Sequence, residues 1–274
     1  MELSWLMHQP ALIKVLIFFL IWVGIWLPIA VVSAILLNWH PTQPLTPQQK
    51  IVLLASLYLI APVLLVGMTH LEQTTFLDYG LWVSGEVAIS IGFGLMLGGL
   101  SLGLLYTVMW KLGATDWQQP LKGETQPLNV GSILSVGLVA FWISITEELV
   151  FRGFLQFQLH QDYSVWVASA IVSTIFALSH LLWNWQGTIP QLPGLWLMGM
   201  VLTIARFCDR GSLGLPIGLH AAWIWGITLT EQRFITSPTT RLPGWLVGES
   251  DQPLASLSSW VMLLMLAGVL LQLH

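Results

Sequence analysis

Eight apolar stretches take up most of this chain, and each is close to the length that crosses a bilayer. They run over 12–37, 51–69, 87–110, 131–154, 164–183, 194–208, 214–230 and 256–273. A hydrocarbon core takes about 20 apolar residues per helix, and backbone groups in lipid must hydrogen-bond to one another. The expected fold class is therefore an all-α integral membrane protein of about eight transmembrane helices, read as a single multi-pass domain over residues 1–274. The sixth and seventh stretches are short and flanked by Gly and Pro, which predicts tilt or partial re-entry. Pro28 and Pro62 fall inside the first two stretches and are expected to kink them. The longest connections, 111–130 and 231–255, are too short for a soluble domain.

Composition supports this reading. Of 274 residues, 55% are hydrophobic and only 8% charged, against roughly 25% charged in soluble domains. Mean hydropathy is +0.77. The net charge of −4 comes with no basic stripe, which argues against nucleic acid as a partner. A single cysteine, Cys208, excludes an internal disulfide framework and a Cys-based zinc cluster. The first apolar run is too long for a signal-peptide core, and Lys14 near its start is expected to snorkel to the headgroups. Many of the sixteen tryptophans, including Trp5, Trp39, Trp82, Trp110, Trp117, Trp183 and Trp245, fall at span ends and read as an interfacial belt. In the third stretch, Gly94, Gly98, Gly99 and Gly103 place small residues four apart, a spacing that lets helices approach closely.

Against so apolar a background, the run from Ser144 to Gly153 stands out, because it holds Glu147, Glu148 and Arg152. A carboxylate at the centre of a membrane helix costs about 2.5–3.5 kcal/mol on insertion scales. Two in succession point to function. Glu148 and Arg152 are four apart, share a helix face and can pair. Glu147 lies about 100° further round the helix and is left to face a cavity. His180 ends the fifth stretch and His220 lies in the seventh. One histidine on an apolar helix is usually a satisfied structural residue. Two beside an intramembrane Glu pair are more telling, since buried polar groups in lipid must find each other.

Three motifs now stand in order: Glu147-Glu148-x-x-x-Arg152, Phe176-x-x-x-His180, and His220 followed by Ala221, Ala222 and Trp223. Together they resemble the CPBP family, the CAAX proteases and bacteriocin-processing proteins of the glutamic intramembrane endopeptidase type. The resemblance covers roughly residues 130–230. It implies helices enclosing a polar intramembrane cavity, and hydrolysis of a peptide bond by a water activated between Glu and His. On that resemblance Glu147 is the general base and His180 holds and polarises the water. Glu148 and Arg152 brace the site, and His220 contributes to an oxyanion hole.

The family's third motif is HxxxN or HxxxD, and this chain has Ile224 at the fourth residue after His220. Losing one oxyanion donor typically costs about 10²–10³ in rate. The indole of Trp223 and the amide of Asn184 are the auxiliary donors considered in its place. Two readings follow: an endopeptidase slowed by the broken motif, or a catalytically inert scaffold or assembly factor that binds another membrane protein. A zinc hydrolase would call for an H-E-x-x-H segment, which is absent, so no cofactor or metal is expected. A proton-relay transporter would favour repeated halves, which this chain does not show. The expected partners are the lipid bilayer and a membrane-associated peptide or protein. The composition suggests a bacterial inner membrane, with the thylakoid as alternative.

Overall fold

The computed structural model describes residues 8–40, 43, 45–113, 115–118, 129–233, 235–238, 242–247 and 252–273. Trp5 and the side chain of Trp117 lie outside the described part. Among the described residues eight long helices follow the eight apolar stretches: α1 (Ala11–Leu36), α2 (Pro47–Glu72), α3 (Gly85–Lys111), α4 (Val130–Leu159), α5 (Val165–Ser179), α6 (Leu192–Cys208), α7 (Gly214–Arg233) and α8 (Leu257–Leu273). The protein is an integral, multi-pass membrane protein. The helices start where local chemistry favours a start. Thr46 and Gln49 form a reciprocal capping box ahead of α2, and the side chains of Ser84 and Asn129 accept the first backbone N–H groups of α3 and α4. Both α1 and α2 continue through their prolines.

Six spans are long and apolar enough to cross a membrane: α1, α2, α3, α4, α5 with the turn after it, and α6 with the short helices before it. The helix α8 is a shorter apolar helix, and α7 is not among the six. Packing explains α7. Every residue from Ser212 to Trp223 is buried, because α7 is the innermost helix and packs on α3, α4 and α6. Over that stretch its side chains meet protein rather than lipid, so it can carry His220 and Trp223 at lower hydropathy.

The glycines of α3 make this central contact. A Cβ on Gly94 would press on Leu219 N (2.8 Å) and Gly218 Cα (2.9 Å) of α7, and one on Gly98 would meet Ala222 Cβ (2.7 Å). Gly99 and Gly103 face open space. The glycine pattern therefore serves a close helix pair within the chain. Two indoles tie α7 to its neighbours: Trp223 donates to Ser101 Oγ of α3 (3.1 Å) and Trp225 to the Ile133 carbonyl of α4 (3.1 Å).

The structure revises two sequence expectations. Lys14 does not snorkel. It is only 5% exposed and donates to Gln161 Oε1 (3.3 Å), because the turn after α4 folds over the start of α1. The same turn takes the Ala11 N–H on Asp162 Oδ2 (2.6 Å). The tryptophans are not only a belt. Trp110 and Trp245 are exposed at helix ends, but Trp22 and Trp26 are buried and donate to Leu57 O (2.9 Å) and Ser56 Oγ (3.0 Å), stitching α1 to α2. The two long connections also meet in a short ribbon. Strands β1 (Thr115–Gln118) and β2 (Ile235–Pro238) pair antiparallel, Thr115 opposite Pro238.

Candidate active site

Glu147 and Glu148 occupy the last α-helical turn of α4 before the chain widens into a π-helix over Leu149–Leu155. Such segments are rare and frequent at functional sites, because the wider turn redirects side chains and frees backbone carbonyls. Here the Arg152 carbonyl is taken by Nη1 of Arg206 from α6. The other guanidinium nitrogens of Arg206 donate to the Gly211 carbonyl (3.0 Å, from Nε) and the Tyr79 carbonyl (3.4 Å, from Nη2). The loop between α2 and α3 is thereby drawn against the π segment, where Tyr79 packs on Phe154 and Phe157. Burial pushes the Tyr79 phenol up to about 12, so it serves as a neutral wedge.

The two glutamates have different surroundings. Glu148 is fully buried, and its Oε1 accepts from Arg152 Nη1 (2.9 Å) and His220 Nδ1 (2.7 Å). Arg152 is also fully buried. Its Nη2 donates to the Gly199 carbonyl (3.3 Å), and its Cζ lies 4.3 Å from the centre of the Phe176 ring. A guanidinium offers several donors in a rigid fork, and here it joins a carboxylate, a carbonyl and an aromatic face. Glu147 accepts the Tyr58 hydroxyl of α2 on Oε1. Its Oε2 lies 3.7 Å from His220 Nε2 and has no hydrogen-bond partner among the described residues.

The ring geometry assigns the histidine protons. His180, at the end of α5, has Nδ1 2.8 Å from the Phe176 carbonyl. A carbonyl only accepts, so Nδ1 carries the proton and the neutral ring keeps a lone pair on Nε2. His220 Nδ1 likewise donates to the Glu148 carboxylate, which points its Nε2 at Glu147. Both rings stand edge-on to Phe176, with centroids at 4.7 Å for His180 and 5.9 Å for His220. Glu147 and His220 both lie within electrostatic reach of His180. Phe176 is thus the post around which Arg152, His180 and His220 are set.

The fold brings Glu147, Glu148, Arg152, His180 and His220 together from α4, α5 and α7. The two auxiliary donors are elsewhere. Trp223 turns to α3, where its N–H is bound to Ser101. Asn184 is exposed, and its Oδ1 caps the short helix Trp185–Thr188 through Gly187 N (3.1 Å). An open cleft of about 400 Å³, lined by Trp82, Glu86, Asp209 and Arg210 among others, lies apart from the Glu–His cluster. Sequence reasoning missed Tyr58 as a partner of Glu147, since a tyrosine in an apolar helix gives no signal of its own. It missed Gly199 too, which contributes a carbonyl and a close approach to Ser173. Among the described residues no three or more His, Cys, Asp or Glu are grouped to hold a metal ion.

Residues 129–226 match the family model described as "Rce1-like: Type II CAAX prenyl endopeptidase Rce1-like". Over this segment the chain is similar to the CAAX-protease family. The matched segment contains Glu147, Glu148, Arg152, His180 and His220, and leaves out α1 to α3 and therefore Tyr58. The description of that family is of an endopeptidase, which supports a protease activity at the level of the family. Neither the curated proteins nor the solved structures yield a match.

Proposed function

We propose that this protein is a glutamic intramembrane endopeptidase in which Glu147 activates water for attack on a peptide bond. The observation that carries the reading is the division of labour in the glutamate pair. Glu148 is fully buried, with Oε1 bound by both Arg152 and His220 and Oε2 without a partner among the described residues, whereas Glu147 binds no cation on Oε1, is 8% exposed, and has an Oε2 with no protein donor and an imidazole 3.7 Å away. Water on Oε2 loses a proton to Glu147 as its oxygen bonds to the carbonyl carbon. The lone pair on His180 Nε2 orients the water's second hydrogen. A proton on His220 Nε2, with Nδ1–H held by Glu148, would donate to the oxyanion. On collapse the C–N bond breaks, and the proton held by Glu147 passes to the leaving amine. Arg152 and Glu148 hold the His220 ring in register. The substrate is a membrane peptide, and a prenylated CAAX tail is the first class to test. The composition fits a bacterial inner membrane, or a thylakoid.

The test uses the full chain in proteoliposomes with a fluorogenic peptide ending in a farnesylated CAAX sequence, beside its unprenylated counterpart. Glu147→Gln is expected to lower cleavage by roughly 10²–10⁴-fold, the usual contribution of a positioned general base. Undiminished cleavage would remove Glu147 as the base. Ile224 and the engagement of Trp223 with Ser101 favour one other reading, an inert scaffold that binds a membrane protein. That reading requires a parent chain that cleaves neither peptide, and a stoichiometric partner still retained by the Glu147→Gln, His180→Ala double variant.

A further inference from the structure

Tyr58 lies in α2, outside the segment matched to the protease family, yet its hydroxyl reaches Oε1 of Glu147. The two residues that precede it on α2 are anchored. Trp22 holds the Leu57 carbonyl and Trp26 holds Ser56 Oγ, so α1 fixes the part of α2 that carries the phenol. Tyr58 itself is buried. The groups around the Glu147 carboxylate are thus Tyr58 from α2, Glu148 and Arg152 from α4, His180 from the end of α5 and His220 from α7.

A carboxylate has two equivalent oxygens, and the terminal torsion of a glutamate is broad and roughly two-fold. Left alone, either oxygen could turn toward His220. An O–H···O⁻ bond is among the stronger hydrogen bonds a side chain forms. We infer that Tyr58 is a positioning residue: by fixing Oε1 of Glu147 it makes Oε2 the oxygen that takes the proton from water. The inference rests on the reading of Glu147 as base. It gives α1 and α2 a role in the chemistry, because they aim the base that α4 carries.

Tyr58→Phe removes one oxygen and keeps the ring. In the same proteoliposome assay kcat is expected to fall roughly tenfold, with KM and melting temperature unchanged, in line with the worth of a hydrogen bond to a charged group. A second variant carries 3,5-difluorotyrosine at position 58, which preserves packing and changes only the acidity of the O–H. It is expected to displace the pH–rate profile, which a purely structural tyrosine would leave in place. Parental kcat in Tyr58→Phe, or an unmoved profile in the fluorinated protein, overturns the inference. If Glu147→Gln still abolishes cleavage in those experiments, the base assignment stands without it. If Glu147→Gln cleaves like the parent, both fall together.

Discussion

The first three helices and the next four solve different problems. Helices α4 to α7 carry the groups able to do chemistry, and three of them hold the cluster: Glu147, Glu148 and Arg152 on α4, His180 just after α5, His220 on α7. Helices α1 to α3 contribute no ion to it. Yet the cluster is placed from that side. Tyr58 of α2 binds Glu147, Ser101 of α3 takes the Trp223 indole, and Gly94 and Gly98 let α7 approach within backbone contact. A charge inside lipid is costly, so it is retained where it acts and is conspicuous in the sequence. A residue that only aims another can be a tyrosine, a serine or a glycine, and these are ordinary in a membrane helix. One half of the molecule therefore carries readable chemistry, and the other carries the geometry that makes it usable.

The hardest blow to that arrangement should come from the reactive side. Arg152→Ala strips Glu148 of its guanidinium and leaves a fully buried carboxylate facing a single imidazole. Removing one partner of a buried ion pair typically destabilises by about 3–5 kcal/mol. Thermal unfolding in detergent is expected to show a loss of that size. Arg152→Lys is expected to recover little of it, since one ammonium cannot reproduce a fork that reaches both Glu148 and the Gly199 carbonyl. A stable Arg152→Ala protein would mean that the second half does not depend on its ion pair.

A smaller effect should come from the seam between the halves. Gly94→Ala places a methyl against Leu219 N and Gly218 Cα, which are backbone atoms and cannot swing aside. Overpacking of this kind typically costs about 1–3 kcal/mol. Because α7 carries His220, cleavage should fall with stability. Gly99→Ala, five residues along the same helix, meets nothing within 4 Å and is expected to stay within about 0.5 kcal/mol of the parent. Equal effects at the two positions would dissolve the distinction between the packed and the lipid-facing sides of α3.

The sequence was most legible where rarity carried the signal. Eight apolar stretches became eight helices because lipid leaves the backbone few options. The three motifs came together because the fourth, fifth and seventh stretches are neighbours in space. The side to which each indole turned was not legible. Spacing put Trp223 beside His220, but the close glycine contact between α3 and α7 brought Ser101 within its reach. Asn184 was read as a site residue and proved to be a helix cap, a role that asparagine takes wherever a chain turns into a helix. The burial of Lys14 depended on a turn some 150 residues away in sequence, which no local pattern encodes. The short ribbon of β1 and β2 joins two connections that are likewise distant in sequence.

The mildest test concerns that indole. In Ser101 the hydroxyl donates to the Gly98 carbonyl (2.8 Å) and accepts from Trp223 (3.1 Å), so the three residues form a relay from α7 back to α3. If Trp223 were the oxyanion donor absent at Ile224, Trp223→Phe would lower cleavage by about 10²–10³-fold. Its N–H points the other way, so cleavage should stay within about twofold while stability drops by roughly 0.5–1.5 kcal/mol, the net worth of one hydrogen bond. Phenylalanine also fills less space than tryptophan, and that contribution has to be separated. Ser101→Ala alone, and the double variant, complete a cycle that does so. Partners in one bond should lose less together than the sum of their separate losses. Full additivity would show that the indole is held by packing alone, and that α3 steers α7 through its glycines without help from the serine.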